Sequence, residues 1–246
     1  KGTLITTESV EMDRNPTMTK KEMEAEYERL LGVKKTIWLK QGLVEDNHTF
    51  LGPVTTSNGT KAYTVVTTNG HIDEFARFVN DSTILMAQID STEFNDPIAL
   101  ENHKRIEENY KLLSNATDQV GKPFTIVRMP LPGTIFSTMK PGDYVYEYIK
   151  TLDYEDGSTF PDGDIVKVMA ALSYLNFIIT DKVVVGQTCW REGMPDELKA
   201  KDEKAAQILQ SVFPNRKIIM IDALAVNLGG GGIHCISMYQ PGFSIN

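Results

Sequence analysis

A cysteine that follows a run of glycines is the feature of this sequence best suited to chemistry. Residues 229–235 read GGGGIHC, and Cys235 carries the thiol. Glycine offers no side chain to a core, and it is favoured where the backbone adopts positive φ or where another molecule approaches closely. The pattern therefore indicates a thiol nucleophile with an open approach past Gly230, Gly231 and Gly232. The alternative is a glycine-rich turn before a buried structural cysteine, because free cysteines are among the most buried residues.

A histidine and an aspartate separated by one residue form the second candidate for chemistry. Residues 69–73 read NGHID, which places His71 and Asp73 at the start of an apolar run. Side chains alternate along a strand, so both are predicted to project from one face. Histidine moves protons near neutral pH, and aspartate holds a cation or orients an imidazole. Alone, this pattern is common in structural roles; together with Cys235 it favours a nucleophile and its base.

A polar residue inside an apolar segment is the third candidate. Residues 173–179 read SYLNFII, so Asn176 is predicted to be a buried amide within a strand. A buried amide must find hydrogen-bond partners. Those partners are either neighbouring backbone groups or a bound substrate at the same end of the molecule as His71.

The elements that position these residues repeat along the chain. A hairpin at His71–Ile89, turning at Asn80-Asp81, precedes a helix from about Pro97 and a strand at Phe124–Met129. The same order is predicted again as a hairpin at Val166–Gly186, turning at Thr180-Asp181, a helix at Asp196–Val212 and a strand at Lys217–Ile221. Proline is favoured at the first position of a helix, and asparagine and aspartate favour turns. The alternative is a series of α/β elements whose order matches by accident.

A first unit and the start of a fourth are also predicted. Lys1–Val10 is a β-rich run, and Thr19 with Glu22 has the spacing of a capping box at a helix start. Gly32 stands where the helix would end, before a strand at Thr36–Leu39. Ile233–Met238 would begin a fourth hairpin. Such units, each burying a helix against its own strands, predict an α/β fold gathered around a common axis.

Composition excludes several classes of protein. The 246 residues carry a net charge of −8, which argues against a nucleic-acid-binding surface. Two cysteines are too few for a disulfide framework. No apolar run approaches the roughly 18 residues of a membrane span. We therefore expect no nucleic-acid or membrane partner and a cytoplasmic location, with a secreted or periplasmic one left open because residue 1 is not methionine.

Three motifs in this order resemble one enzyme family. NGHIDEFARFV at 69–79, SYLNF at 173–177 and NLGGGGIHC at 227–235 are similar to agmatine deiminases and bacterial (Porphyromonas-type) peptidylarginine deiminases. GTLITTE at 2–8, RNP at 14–16 and IWL at 37–39 match as well. The resemblance covers nearly the whole chain. It implies the pentein fold, a five-bladed α/β propeller of ββαβ-type repeats, of which this chain holds roughly three and a half.

The resemblance also implies a reaction. Cys235 would attack a guanidinium carbon, ammonia would leave, and water would hydrolyse the covalent thiouronium. His71 would give a proton to the ammonia and then activate the water, while Asp73 would hold the guanidinium. Asn176, Gly230, Gly231 and Gly232 would contact the substrate, and neither a metal nor a cofactor is required. Agmatine is the expected substrate, giving N-carbamoylputrescine; arginine in a protein or peptide, converted to citrulline, is the alternative.

The sequence departs from the family in three respects. A guanidinium-binding aspartate and a glutamate that the family carries upstream have no counterpart here. We therefore expect residues 1–246 to form one catalytic domain, the C-terminal part of a propeller that a separate N-terminal segment of the same protein completes. Glu74 stands where agmatine deiminases usually have asparagine, and an insert at about Asp46–Thr68 precedes the histidine. The family resemblance further suggests a homodimer.

Other functions and residues receive different interpretations. A metal-dependent hydrolase would use His71, Asp73, His234 and Cys235, but these lack the short ligand spacing typical of metal sites. A non-catalytic binding module of the pentein fold would not need both Cys235 and His71. Structural or surface roles are expected for the remaining candidates, which are Cys189 as a packing thiol, His48 in a loop, His103 on a helix and His234 on the opposite face of a strand.

Overall fold

The computed structural model describes residues 2–239, in which helices and strands are mixed along the chain. The predicted α/β class is therefore confirmed. Lys1 and residues 240–246 lie outside the described residues, so the start of the first predicted strand run is not covered. Within the described part, no helix combines the length and apolar character that crossing a membrane requires.

Twelve strands and six α-helices are interspersed along the described residues. The strands are β1 (Thr3–Thr7), β2 (Lys35–Leu39), β3 (Val54–Thr55), β4 (Lys61–Thr64), β5 (Ala76–Phe78), β6 (Thr83–Gln88), β7 (Thr125–Pro130), β8 (Phe136–Met139), β9 (Val166–Met169), β10 (Ile178–Ile179), β11 (Val183–Thr188) and β12 (Lys217–Asp222). The α-helices are α1 (Glu8–Arg14), α2 (Lys20–Leu31), α3 (Pro97–Ser114), α4 (Tyr144–Ile149), α5 (Asp196–Val212) and α6 (Leu224–Asn227).

Two three-stranded sheets share one topology, as the repeat predicts. In each, an antiparallel hairpin is followed by a helix and then by a strand parallel to the second hairpin strand, giving the orders β5-β6-β7 and β10-β11-β12. The hairpins turn at the two predicted positions. Pro97 begins α3, where the Asp96 side chain accepts a hydrogen bond from the N–H of Ile98 at 2.9 Å.

The first unit has a simpler sheet than the other two. β1 pairs in parallel with β2, and no hairpin partner for β1 occurs among the described residues. The β-rich run ends at Thr7, because Glu8 begins the helix α1, which the sequence interpretation missed. Thr19 and Glu22 do form the predicted capping box of α2, and Gly32 ends that helix in the left-handed conformation.

The long inserts build a fourth sheet, which was not predicted. Its order is β3-β4-β9-β8, with β4 and β9 parallel, and a separate hydrophobic cluster that includes Tyr63, Tyr146, Tyr154 and Phe160 lies at this sheet. The prediction that a hairpin begins at Val166 is therefore wrong. β9 belongs to this fourth sheet, and the hairpin of the third repeat begins only at Ile178.

The predicted fourth hairpin at Ile233–Met238 is also wrong in the described residues. Residues 233–236 form a turn, closed by a hydrogen bond from the N–H of Ser237 to the carbonyl of His234 at 3.0 Å. Ile233 is only 4% exposed, so its side chain is buried in the turn. This turn presents Cys235 on a bend instead of a strand, which changes the direction of its neighbours.

Candidate active site

The glycine run places Cys235 at the surface, with its sulfur directed at buried polar groups. Cys235 is exposed, and the N–H of Gly232 donates to its Sγ at 3.4 Å. A Cβ on Gly231 would lie 3.2 Å from that sulfur. Asn227, fully buried at the end of α6, holds the run by donating to the carbonyl of Gly231 at 3.1 Å. The interpretation of an exposed thiol beside a cleared backbone therefore agrees with the geometry.

Gly230 and Gly232 are required by close packing. Gly230 has a φ of 104°, and a Cβ there would lie 1.7 Å from the carbonyl oxygen of Val66. A Cβ on Gly232 would lie 2.2 Å from Oδ1 of Asn176. These contacts bring the run against the rest of the site, and a role for Gly230–Gly232 in holding substrate stays a prediction.

Asn176 lies at the centre of the polar cluster. Its Nδ2 is 3.0 Å from Oδ2 of Asp73, 2.8 Å from Oε1 of Glu74 and 3.2 Å from Sγ of Cys235. Asn176 is fully buried, and it lies in a turn before β10 instead of within a strand, contrary to the prediction. Its amide satisfies the need for partners by joining two carboxyl groups to the thiol.

Two acidic side chains converge on the sulfur from the loop before β5. Sγ of Cys235 lies 3.8 Å from Oδ2 of Asp73 and 3.7 Å from Oε1 of Glu74. Ligand atoms of these three side chains all lie within 4.8 Å of one another. This set differs from the four residues that the metal-hydrolase alternative requires, because it includes Glu74 and neither histidine.

The prediction that alternation along a strand aligns His71 with Asp73 is wrong. Ile72–Glu74 is a short 3-10 helix, His71 precedes it, and the strand begins only at Ala76. In a tight helical turn, consecutive side chains fan out around the axis. Asp73 and Glu74 therefore both reach the site, whereas in a strand they would point to opposite faces.

A buried aspartate fixes the loop that carries His71. Asp46 is 4% exposed, and its carboxylate accepts hydrogen bonds from the N–H groups of Thr68, Gly70 and His71 at 2.8, 2.9 and 2.8 Å. The Thr68 hydroxyl donates to it as well, at 2.7 Å. The His71 ring makes no hydrogen bond to another residue in the range 2–239, although its charge lowers the pKa of Asp73. Asp46 thus positions the backbone of the predicted base and leaves the ring free.

His234 belongs to the site, contrary to the prediction that it lies on the opposite face of a strand. Its ring Nδ1 donates to Oδ2 of Asp73 at 2.5 Å, and its backbone N–H donates to Oδ1 of Asn176 at 2.8 Å. The reason is the turn at residues 233–236, which directs consecutive side chains to the same region. His234 therefore orients Asp73 in the described structure.

Arg77 connects the two loops behind the cluster. Its guanidinium donates to the carbonyl of Phe177 at 3.0 Å and lies over that ring, with Cζ 4.8 Å from the centroid. A second, longer hydrogen bond reaches the carbonyl of Leu175 at 3.3 Å. Burial lowers the pKa of Arg77, while the charge of Asp73 acts in the opposite direction. The strand β5 is thereby tied to the turn that carries Asn176.

The thiol and one carboxyl group are strongly disfavoured as anions. Burial of the sulfur, followed by repulsion from Asp73 and Glu74, raises the pKa of Cys235 to about 12. Burial, followed by repulsion from Asp73 and Asp46, raises the pKa of Glu74 well above its usual value. Burial alone would also raise the pKa of Asp73, but the hydrogen bond and charge of His234 lower it below the usual range. Before a cation binds, the cluster therefore holds one carboxylate and a neutral thiol.

The second cysteine lies in a structural network beside the site. Cys189 is 3% exposed, and burial raises the pKa of its thiol far out of the range in which it would react. Asp202, on α5, accepts hydrogen bonds from the Cys189 N–H at 3.0 Å and from the Tyr174 hydroxyl at 2.6 Å. The prediction of a packing thiol is confirmed, and the network anchors the turn that carries Asn176.

Four contributors to the site escaped the sequence interpretation, namely Asp46, Glu74, Arg77 and His234. Glu74, Arg77 and His234 lie within the three motifs, so position in a motif was a usable signal for them. Asp46 lies 25 residues before His71, the residue whose N–H it binds, and no local pattern indicates that contact.

Comparisons with known proteins identify the family of this chain. A family model described as Porphyromonas-type peptidyl-arginine deiminase matches residues 1–51 and 54–241. The agmatine deiminase of Pseudomonas syringae pv. tomato is 32% identical over 242 residues, covering 98% of this chain and 54% of that protein. That of Medicago truncatula is 30% identical, with the same coverage.

A solved structure shares the fold. The agmatine deiminase of Enterococcus faecalis superposes with a TM-score of 0.65 at 23% identity, over 96% of this chain and 53% of that one. The chain spans about half the length of the relatives it matches. With the family model matching nearly every residue and the thiol, carboxylate and amide of the three motifs gathered at one place, the chain belongs to the Porphyromonas-type peptidyl-arginine deiminase family.

Proposed function

We propose that the protein is a guanidine-group deiminase that hydrolyses agmatine to N-carbamoylputrescine and ammonia. The observation that carries the proposal is the convergence of Cys235, Asp73 and Asn176, with the sulfur 3.8 Å from the carboxylate and 3.2 Å from the amide. A carboxylate pairs with a guanidinium through charge-assisted hydrogen bonds, and a thiol is a nucleophile for its carbon. The similarity to agmatine deiminases supports this choice of substrate.

The reaction divides into two steps at one carbon. As the Cys235 thiol gives its proton to His71, the sulfur forms a bond to the guanidinium carbon. The C–N bond to the leaving amine then breaks as His71 passes that proton to the nitrogen. Ammonia leaves, and His71 then accepts a proton from water, whose oxygen attacks the thiouronium carbon. The C–S bond breaks, the proton returns to the sulfur, and a ureido group is released.

The high pKa of the thiol gives the substrate a part in its own activation. Repulsion from Asp73 and Glu74 holds the proton on Cys235 until a substrate binds. A guanidinium bound beside Asp73 replaces this repulsion with attraction, because an opposite charge within about 4–6 Å favours the ionised form. The reactive thiolate would therefore form chiefly when a cation occupies the site, which protects the enzyme from adventitious alkylation.

The finer architecture is part of the same proposal. We infer that residues 1–246 act as one catalytic domain of a pentein propeller and that the repeated ββαβ units of β5–β7 and β10–β12 are two of its blades. Further polypeptide would complete the propeller and add the upstream guanidinium-binding aspartate expected from the family. The coverage of 54% of the relatives' length supports this inference. A homodimer stays a prediction.

Arginine held in a protein or peptide is the second candidate substrate. The description of the matching family model favours it. The insert before His71 is a second reason, because it forms β3 and β4 of an additional sheet near the loop 68–71. We therefore expect substrates to reach the site differently from those of relatives that lack the insert. Loops and inserts around a site often set which substrates enter.

The deciding experiment assays the complete protein that contains this chain with agmatine, free arginine and an arginyl peptide. Ammonia and the ureido product are measured, and we expect turnover of agmatine to be the fastest. Cys235→Ala should release no ammonia, whereas Cys189→Ala, which removes the cysteine outside the site, should remain active. Ammonia release by Cys235→Ala, or no turnover of any of the three compounds by the unaltered protein, would overturn the proposal.

A further inference from the structure

Glu74 has a different environment from its neighbour Asp73. Its carboxyl group is 4% exposed and accepts a hydrogen bond from Asn176, but no ion pair of Glu74 with a basic side chain occurs among the described residues. Asp73, in contrast, is hydrogen-bonded to the His234 ring. A buried carboxylate without a cation is costly, so such a group keeps its proton or acquires a positive partner.

The charged groups facing Glu74 all belong to the site or to its support. Asp73 and Asp46 repel its ionised form, Arg77 stabilises that form weakly, and the Cys235 sulfur lies 3.7 Å from Oε1. These groups come from the turn at residues 72–74 and from β5, from the start of the insert, and from the end of the glycine run. Negative charge dominates around Glu74 until a cation arrives.

The position of Glu74 relative to the sulfur matches that of Asp73. The two distances from Sγ are 3.7 and 3.8 Å, and one amide group, Nδ2 of Asn176, contacts both carboxyl groups. A guanidinium carries several N–H groups in one plane and can therefore engage two carboxylates on either side of the attacked carbon. We propose that Glu74 is a further carboxylate of the guanidinium site beside Asp73, which holds a proton until the substrate binds and exchanges it for the positive charge of the substrate.

This inference rests on the proposed function and deepens it by adding a pH-dependent binding step. The proton of Glu74 passes to solvent when the guanidinium binds, so the net charge of the site is the same before and after binding. The linkage between proton and cation requires the affinity for a guanidinium compound to rise about tenfold per pH unit below the pKa of Glu74 in the unliganded protein. Above that pKa, the affinity becomes independent of this group.

The test is calorimetric binding of agmatine to the protein carrying Cys235→Ala, which prevents turnover and removes the titration of the thiol. Titrations in two buffers of different ionisation enthalpy give the number of protons released. With Glu74 present, we expect the number of protons released per agmatine to approach one at pH values below the pKa of Glu74 in the unliganded protein. Adding Glu74→Gln should reduce this number nearly to zero and remove most of the pH dependence of the affinity. Glu74→Asn, with the residue usual in agmatine deiminases, is the second variant if the glutamine variant does not fold.

Glu45→Gln is the matched control, because Glu45 is a buried glutamate, 7% exposed, whose partners are Asn102 and Thr134. It should leave the proton release unchanged. Binding without proton release, equal release with and without the Glu74→Gln substitution, or no binding of agmatine at all would overturn the inference. Turnover of agmatine by the unaltered protein is measured separately, so an active enzyme without proton release would refute this inference and leave the proposed function standing.

Discussion

Replacing Asn176 with alanine should affect both the stability of the protein and the reactivity of its thiol. The change removes hydrogen bonds at 3.0 and 2.8 Å to two carboxyl groups and leaves the N–H of His234 without its acceptor. A hydrogen bond to a charged group contributes about 1.5–3 kcal/mol, and a stranded buried donor costs about 1–3 kcal/mol. We therefore expect the free energy of unfolding, measured with urea, to fall by about 4 kcal/mol.

The second effect concerns the Cys235 sulfur, which loses a donor at 3.2 Å. This donor stabilises the thiolate, and one pKa unit corresponds to about 1.4 kcal/mol. Because Cys235 is exposed and partly screened by solvent, we take the lower end of the range and expect its pKa to rise by about one unit. Alkylation by iodoacetamide at pH 8 should then slow about tenfold, because only the thiolate reacts. The rate is measured by mass spectrometry of the peptide that contains residue 235.

Asn109→Ala provides the control for stability. Asn109 is also fully buried, and its amide bonds the N–H of Lys40 and the carbonyl of Gln41, each at 2.7 Å. Its loss should cost about 3 kcal/mol but leave the alkylation rate unchanged. Equal alkylation of the unaltered protein and Asn176→Ala, or equal slowing in both variants, would refute the argument that Asn176 acts on the thiol.

Three further predictions concern the glycine run, the loop support and the buried glutamate. Gly232→Ala puts a methyl group 2.2 Å from Oδ1 of Asn176, so the free energy of unfolding should fall by about 2 kcal/mol and most of the activity should be lost. In Gly229→Ala the methyl group would lie 3.2 Å from a backbone carbonyl oxygen, so both losses should be smaller. Equal losses of ammonia release in the two variants would contradict this. Asp46→Asn removes the negative charge that accepts three backbone N–H groups, so urea unfolding should show a loss of about 3 kcal/mol, and an unchanged midpoint would contradict this. Because the pKa of Glu74 is raised, the folded state keeps a proton that the unfolded chain loses above about pH 4.5. The free energy of unfolding should therefore fall with rising pH, by up to about 1.4 kcal/mol per pH unit, until the pKa of Glu74 in the folded state is passed. Glu74→Gln should abolish this contribution to the pH dependence of urea unfolding.

The repeated elements were predictable because local patterns determine them. Proline at the start of α3, the capping box of α2 and the turn residues of both hairpins act over four or five residues, so their effect does not depend on distant contacts. The insert sheet was not predictable in the same way. Its parallel pair β4 and β9 joins Ala62 to Lys167, and neither short strand carries a pattern that names its partner.

The sequence by itself determined that Cys235 would be an exposed thiol beside glycines and that Asp73 and Asn176 are grouped with it. A role for His71 as the base of the same group stays a prediction. Motif composition and order carry this information because glycine clears space and few residue types can act as nucleophile, base or carboxylate.

Only the tertiary structure decided which side chains face the sulfur. A tight turn at residues 72–74 brings Glu74 beside Asp73, and another at residues 233–236 brings His234 onto Asp73. Strand alternation predicts opposite faces for Asp73 and Glu74, and likewise for His234 and Cys235. The turns form because buried partners far away in the chain, above all Asn176, stabilise them, and no local pattern records such partners.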